Sequence, residues 1–149
     1  MEITGTADAI LQAKGRNIYS ISPAATVFEA IQHLADKNVG ALLVMESNRL
    51  LGVFSERDYT RKIALQGRQS RETLVGEIIS DEVISVRPDT PVQECMRLMT
   101  DHRVRHLPVL DSERVVGILS IGDLVNWIIT AQSAAISHLE SYIAGGYPG

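Results

Sequence analysis

Two stretches of the chain share one helical period. Val27, Ala30, Ile31, Leu34 and Ala35 recur at the i, i+3, i+4, i+7 spacing of a single buried helix face, and Val92, Cys95, Met96 and Met99 do the same further on. Before each helix stands a short apolar-rich stretch, "IYSI" and "VISV", soon followed by a proline, which reads as a short strand. After each helix come "ALLVM" and "HLPVL", then the polar turns "ESNR" and "DSER", then "LLGVFS" and "VVGILS": strand, turn, strand. A second helix starts after Ser55 in one case and Ser120 in the other. In the second stretch Thr90 is placed to cap the helix, with Pro91 in its first turn. Pro108 lacks an N–H and predicts an edge strand or a strand start. Gly52 and Gly117 predict a bulge or a close approach to the backbone.

The two stretches are copies. Displaced by 65 positions, as Asp58 is from Asp123, Ile18–Ile63 lies on Val83–Ile128 without a gap. Ser20/Ser85, Pro23/Pro88, Gly52/Gly117, Ser55/Ser120 and Asp58/Asp123 are identical pairs, and most others exchange apolar for apolar. Each copy reads strand, helix, strand, strand, helix. Two long copies are too few for a solenoid and predict an α+β module of two pseudo-symmetric units packed sheet to sheet. The segment 64–82 is polar in its middle and links them.

Composition narrows the function classes. Of 149 residues, 45% are hydrophobic and 21% charged, the balance of a globular chain. No apolar run reaches the ~20 residues of a membrane span, and the opening "MEITGTADAI" predicts no secretory leader. A net charge of -4 argues against wholesale nucleic-acid binding. The single cysteine, Cys95, excludes an internal disulfide and a Cys-only metal site, and its place on the helix face suits a small buried hydrophobe. His33 and His138 stand singly on helical stretches, and the four histidines show no metal-ligand spacing. A reducing, cytoplasmic compartment is the expectation.

The segments "GVFSERD" and "GILSIGD" keep Gly, Ser and Asp but replace Glu-Arg by Ile-Gly. Ser-x-x-Asp is close to a capping box, with the serine at the N-cap and the carboxylate in the first turn, and that alone accounts for both pairs. The charges are distributed differently. Arg57 is matched by Gly122, while Arg105 and His106 are matched by Gly40 and Ala41. Each copy therefore carries cations where the other has none.

The repeat resembles the cystathionine-β-synthase (CBS) domain, and the tandem resembles the CBS pair or Bateman module of small stand-alone proteins. The features are the two copies, the order of elements, "GVFSERD", "GILSIGD", "RHLPVLD", "SERDYTRKI" and "MTDHRVRHLPV". The similarity runs from about Thr6 to Ile129, and implies repeats over 6–66 and 67–132, with the linker inside 64–82, and a C-terminal helix extension and tail over 133–149. It implies that Ser55 with Asp58, and Ser120 with Asp123, bind adenosine nucleotides, the aspartate taking the ribose hydroxyls. By the same analogy, phosphate contacts for one copy come from the loop before the second strand of the other. The main site would then hold Ser55, Arg57 and Asp58 with Arg103, Arg105 and His106, the adenine lying on Ile18 and Tyr19. A weaker second site would hold Ser120 and Asp123 with Val83 and Ile84, facing Gly40 and Ala41 without phosphate clamps.

The resemblance implies a regulatory sensor of AMP, ADP, ATP or NAD(H) that acts on a partner protein, without catalytic residues or metal. It also implies a homodimer through helix faces, for which Gly122–Ile143 offers a long, partly apolar helix bearing Trp127. Two other classes stand beside it. A ligand-free interaction or oligomerisation module would use the Ser/Asp pairs only as caps. A nucleotide-processing enzyme would need an activated nucleophile or metal set that the sequence does not display.

Overall fold

A computed structural model of the chain describes residues 3–79 and 82–131. Its elements run α1 (Ala7–Lys14), β1 (Ser20–Ile21), α2 (Val27–Lys37), β2 (Ala41–Glu46), β3 (Arg49–Ser55) and α3 (Glu56–Asp58), which continues as a π-helical turn over Tyr59–Ala64. Then follow α4 (Val75–Ile78), α5 (Val92–His102), β4 (His106–Asp111) and β5 (Arg114–Ser120). Residues 121–131 form a final helix, α6. The fold is α+β with two sheets, β1-β2-β3 and β4-β5.

The helical period of the sequence is the buried face. Val27, Ala30 and Leu34 of α2 and Val92, Cys95 and Met99 of α5 are buried, each triplet in the core of its own repeat. The Thr26 hydroxyl caps α2, accepting from Glu29 N at 3.1 Å. At α5 the expected cap is absent. Pro91 itself occupies the N-cap position with an extended ψ of 146°, and the Thr90 hydroxyl accepts instead from Arg87 N at 2.9 Å.

The strands are antiparallel hairpins, β2 with β3 and β4 with β5, each bulged at the same place. Val44 pairs with Gly52 and Met45 with Leu50, and Val109 pairs with Gly117 and Leu110 with Val115. The leading strand differs between repeats. Leu43 N–H donates to Tyr19 O at 3.0 Å, and β1 pairs in parallel with β2 through two residues. The counterpart of Leu43 is Pro108, which has no N–H to donate. The stretch "VISV" keeps only the Val86–Val109 bridge, held by Val86 N to Pro108 O and Leu110 N to Val86 O. One proline within β4 has shortened a strand.

The repeats exchange their short helices. α1 opens the chain but buries Ala7, Ile10 and Leu11 in the core of the second repeat, with Val92, Cys95, Leu107 and Leu119. α4 lies between the repeats and buries Val75 and Ile78 in the first core, with Val27, Leu42 and Phe54. Matching bridges fix both docks, Thr6 with Pro91 and Leu74 with Thr26. Trp127 of α6 packs against the second core, and its Nε1–H donates to Thr4 O at 2.8 Å, tying down the N-terminal end of α1. Residues 133–149, the expected C-terminal extension with His138, lie outside the described residues, as does the part of the expected dimerisation helix beyond residue 131.

Candidate functional site

Both Ser/Asp pairs are helix caps. Asp58 N–H donates to Ser55 Oγ at 3.3 Å, while Asp58 Oδ2 accepts from Ser55 N at 2.9 Å and from Ser55 Oγ at 3.0 Å. At the second helix Asp123 N–H donates to Ser120 Oγ at 3.1 Å, and Asp123 Oδ2 accepts from Ser120 N at 2.7 Å. The capping box does not exhaust either carboxylate, because an ionised carboxyl offers about four lone-pair positions. Asp58 Oδ1 lies 3.4 Å from Lys62 Nζ and makes no hydrogen bond among the described residues.

The backbone ties each cap to a loop. Glu56 N–H donates to Gly40 O at 3.1 Å, and Ile121 N–H to Arg105 O at 2.9 Å. Each helix start is thus locked to the residues that precede the middle strand of its own repeat. Arg105 lines the first cavity and Gly40 the second, each opposite the cap of the other repeat.

The first cavity, about 290 Å³, opens between the repeats. Ser55, Arg57 and Asp58 come to it from the first repeat, and Arg103, Arg105 and His106 from the second. The structure therefore brings together the six polar residues expected at the main site. It adds Arg61 and Lys62, one helical turn beyond Asp58 on the same face. The apolar wall differs from expectation. Val83 and Ile84, expected at the second site, line this cavity, whereas Tyr19 lines the other and Ile18 lines neither. The crossing is common to both repeats: Tyr19 lines the cavity of Ser120, and its counterpart Ile84 lines the cavity of Ser55.

The second cavity, about 370 Å³, is lined by Tyr19, Gly40, Ala41, Ser120 and His106. It was expected to lack cations. Lys14, from the last turn of α1, and Lys37 both line it. Lys14 Nζ lies 2.5 Å from Asp123 Oδ2 and also donates to Ile118 O at 2.9 Å. Lys37 Nζ sits over the Tyr19 ring, 5.5 Å from its centroid. No sequence signal marked Lys14, because its place depends on α1 docking with the far repeat. Lys62 was legible, as a lysine four residues after an aspartate on a helix.

His106 lines both cavities. Desolvation pushes its pKa down from the ordinary value; Lys14 and Arg105 push the same way, while Asp123 and Asp58 oppose. Arg57 is also lowered, by desolvation and then by the neighbouring cations Arg61 and Arg105, against Asp58. Cys95 is buried and its thiol is pushed up to about 11 by desolvation, so it is a packing residue and a poor nucleophile. His33 meets the Tyr19 ring edge-on at 6.3 Å. Among the described residues no cluster of three or more His, Cys, Asp or Glu could hold a metal, and no helix is long and apolar enough to cross a membrane.

Comparison with known proteins agrees with this architecture. The family model of the CBS domain matches the chain twice, over residues 14–65 and 75–130. The mitochondrial CBS domain-containing protein CBSX3 of Arabidopsis thaliana is 43% identical over 127 residues, 82% of this chain, which spans 62% of that relative's length. A signal-transduction protein with CBS domains from Burkholderia ambifaria, described as putative, superposes with a TM-score of 0.82 at 46% identity, covering 86% of this chain and 96% of its own. The CBS domain pair of protein MJ0100, in complex with 5′-methylthioadenosine and S-adenosyl-L-methionine, superposes with a TM-score of 0.75 at 22% identity, covering 86% of this chain and 98% of its own.

Proposed function

Starting from the fact that this chain belongs to the CBS-domain family, as a tandem pair and hence a regulatory module, we propose that it senses an adenosine nucleotide in the first cavity. One observation carries the reading. A carboxylate with a spare oxygen, on Asp58, stands at one side of the cavity, and the opposite repeat supplies Arg103, Arg105 and His106. That is the complement of a ribose diol joined to phosphate, with Val83 and Ile84 as an apolar surface for the base. Occurrence of adenosine ligands in the MJ0100 pair supports the fold's capacity for such molecules. AMP, ADP, ATP and NAD(H) all carry the required diol and phosphate.

The second cavity is the weaker site in this reading, because a ribose must displace Lys14 from Asp123. A ligand that touches both repeats shifts their relative angle only by binding one arrangement better than the other, and that difference is what a regulated partner reads. We place the protein as a homodimer whose contact includes the exposed Ile121, Val125 and Ile129 of α6, spaced on one helix face.

Calorimetric titration with AMP, ATP and NADH tests the nucleotide reading. Saturation near one ligand per chain is expected. Asp58→Asn keeps an acceptor for the Ser55 N–H, so the cap persists while the diol loses a charged partner. Affinity then falls about tenfold to a hundredfold, the equivalent of one charge-assisted hydrogen bond. Absence of binding by all three nucleotides refutes the reading and leaves a ligand-free interaction module; turnover of the bound nucleotide refutes the non-enzymatic one.

A further inference from the structure

The first cavity holds more positive charge than a ribose monophosphate needs. Five Lys and Arg side chains line it, Arg57, Arg61, Lys62, Arg103 and Arg105, against two carboxylates, Asp58 and Glu82. Lys62 has Asp58 nearby, but among the described residues none of the four guanidiniums pairs with a carboxylate. This local excess stands in a chain whose net charge is -4.

The matched positions of the opposite repeat supply an internal control. At the matched positions, Arg57 faces Gly122, Arg61 Asn126, Lys62 Trp127, Arg103 Asn38 and Arg105 Gly40. Every cation of the first cavity therefore has an uncharged counterpart. One of them sits at a backbone position that arginine does not favour. Arg103 ends α5 in the left-handed region with φ 55°, as Asn38 ends α2 with the same φ. Asparagine adopts that conformation readily and arginine does not, so local backbone preference does not account for Arg103. Crowding unpaired guanidiniums at one cavity is likewise a cost in the unliganded protein; at Arg57 desolvation, and after it Arg61 and Arg105, lower the pKa.

We infer that the first cavity selects its ligand by phosphate charge. It takes nucleoside polyphosphates in preference to monophosphates, and rejects phosphate-free or sulfonium nucleosides. This rests on the nucleotide reading of the same cavity and names the ligand class within it. Guanidiniums bind phosphate oxygens through paired N–H groups, and each further phosphate engages another of them. A cationic sulfonium gains nothing there and meets like charge.

The test is a titration ladder at fixed ionic strength on the full chain, with adenosine, 5′-methylthioadenosine, S-adenosyl-L-methionine, AMP, ADP and ATP. Inorganic tripolyphosphate is the nucleoside-free probe. Affinity is expected to rise about tenfold per phosphate, and tripolyphosphate to compete with ATP. Raising salt toward 1 M is expected to compress the ladder, since the Debye length falls to about 3 Å. Arg103→Asn should hold or raise the melting temperature, as asparagine suits the left-handed position, yet weaken ATP about tenfold more than adenosine. Arg105→Gln repeats the binding test outside that backbone position. Equal affinity for adenosine, AMP and ATP overturns charge selection and leaves the nucleotide reading intact. Tripolyphosphate binding as tightly as ATP, with no adenosine binding, overturns the nucleoside part and leaves a polyanion site. No binding by any probe overturns both.

Discussion

The two carboxylate oxygens of Asp58 stand in different surroundings. Oδ2 accepts the Ser55 N–H and hydroxyl and so closes a cap of the kind that contributes about 1 kcal/mol, while Oδ1 faces the cavity beside Lys62. Capping and ligand binding are compatible at one residue, which is why Ser-x-x-Asp in the sequence could not separate them. His106 is the other residue with a double position, walled between both cavities and facing Asp123, Asp58, Lys14 and Arg105. Its pKa is lowered in the fold, so the unfolded chain takes up the proton first as pH falls. The stability it supports is complete above the ordinary histidine value of about 6.5 and is lost as pH drops below it toward the depressed folded value. Urea unfolding of the unliganded protein at pH 7.5 and 5.5 should show lower stability at 5.5. His106→Gln should flatten that difference, and an unchanged slope would remove His106 as its source.

The elements are arranged by small steric facts. Gly52 and Gly117 occupy matched positions beside the bulges, and each faces an apolar side chain from the exchanged helix region. A Cβ at Gly117 would lie 2.6 Å from Leu11 Cδ2, whereas one at Gly52 would lie 3.2 Å from Ile79 Cδ1. Leu11 is 1% exposed and has nowhere to go. Gly117→Ala should therefore cost about 1–3 kcal/mol and Gly52→Ala less than about 1 kcal/mol, measured by urea unfolding; equal costs would refute this account of the glycine. The glycines, and the proline that shortens the leading strand of the second repeat, were visible as residue types. The partners that give them meaning were not. The copies match without a gap only over 18–63 and 83–128, so the pattern did not reach α1, and α4 fell in a linker read as polar. Thr90 misled for a local reason, its hydroxyl having a nearer donor in Arg87 N–H.

At the scale of the molecule, the exchange of α1 and α4 makes each core depend on chain from beyond its own repeat, and the cavities lie where the repeats meet. Below the described part of α6, an apolar surface joins it to α5. Met96 and Met99 line one apolar cleft with Leu124, Val125, Ile128 and the exposed Ile121. For the proposed homodimer, Val125→Glu should shift the sedimentation coefficient to that of a monomer at micromolar concentration without altering the far-ultraviolet circular dichroism. A wild-type chain that is already monomeric there would refute this interface. The same variant should leave ATP affinity within about threefold, because Val125 lines neither cavity.

By itself the sequence determined the repeat, the order of elements, the two helix faces and the unequal placement of Arg57, Arg105 and His106, because these depend on periodicity and on residues compared at a fixed displacement. Tertiary structure alone decided three assignments: Val83 and Ile84 to the first cavity, Tyr19 to the second, and Lys14 to Asp123. The physical reason is separation along the chain. Lys14 and Asp123 are brought together through the burial of Ala7, Ile10 and Leu11 in a core otherwise built from the second repeat, and no local pattern encodes where such a helix docks.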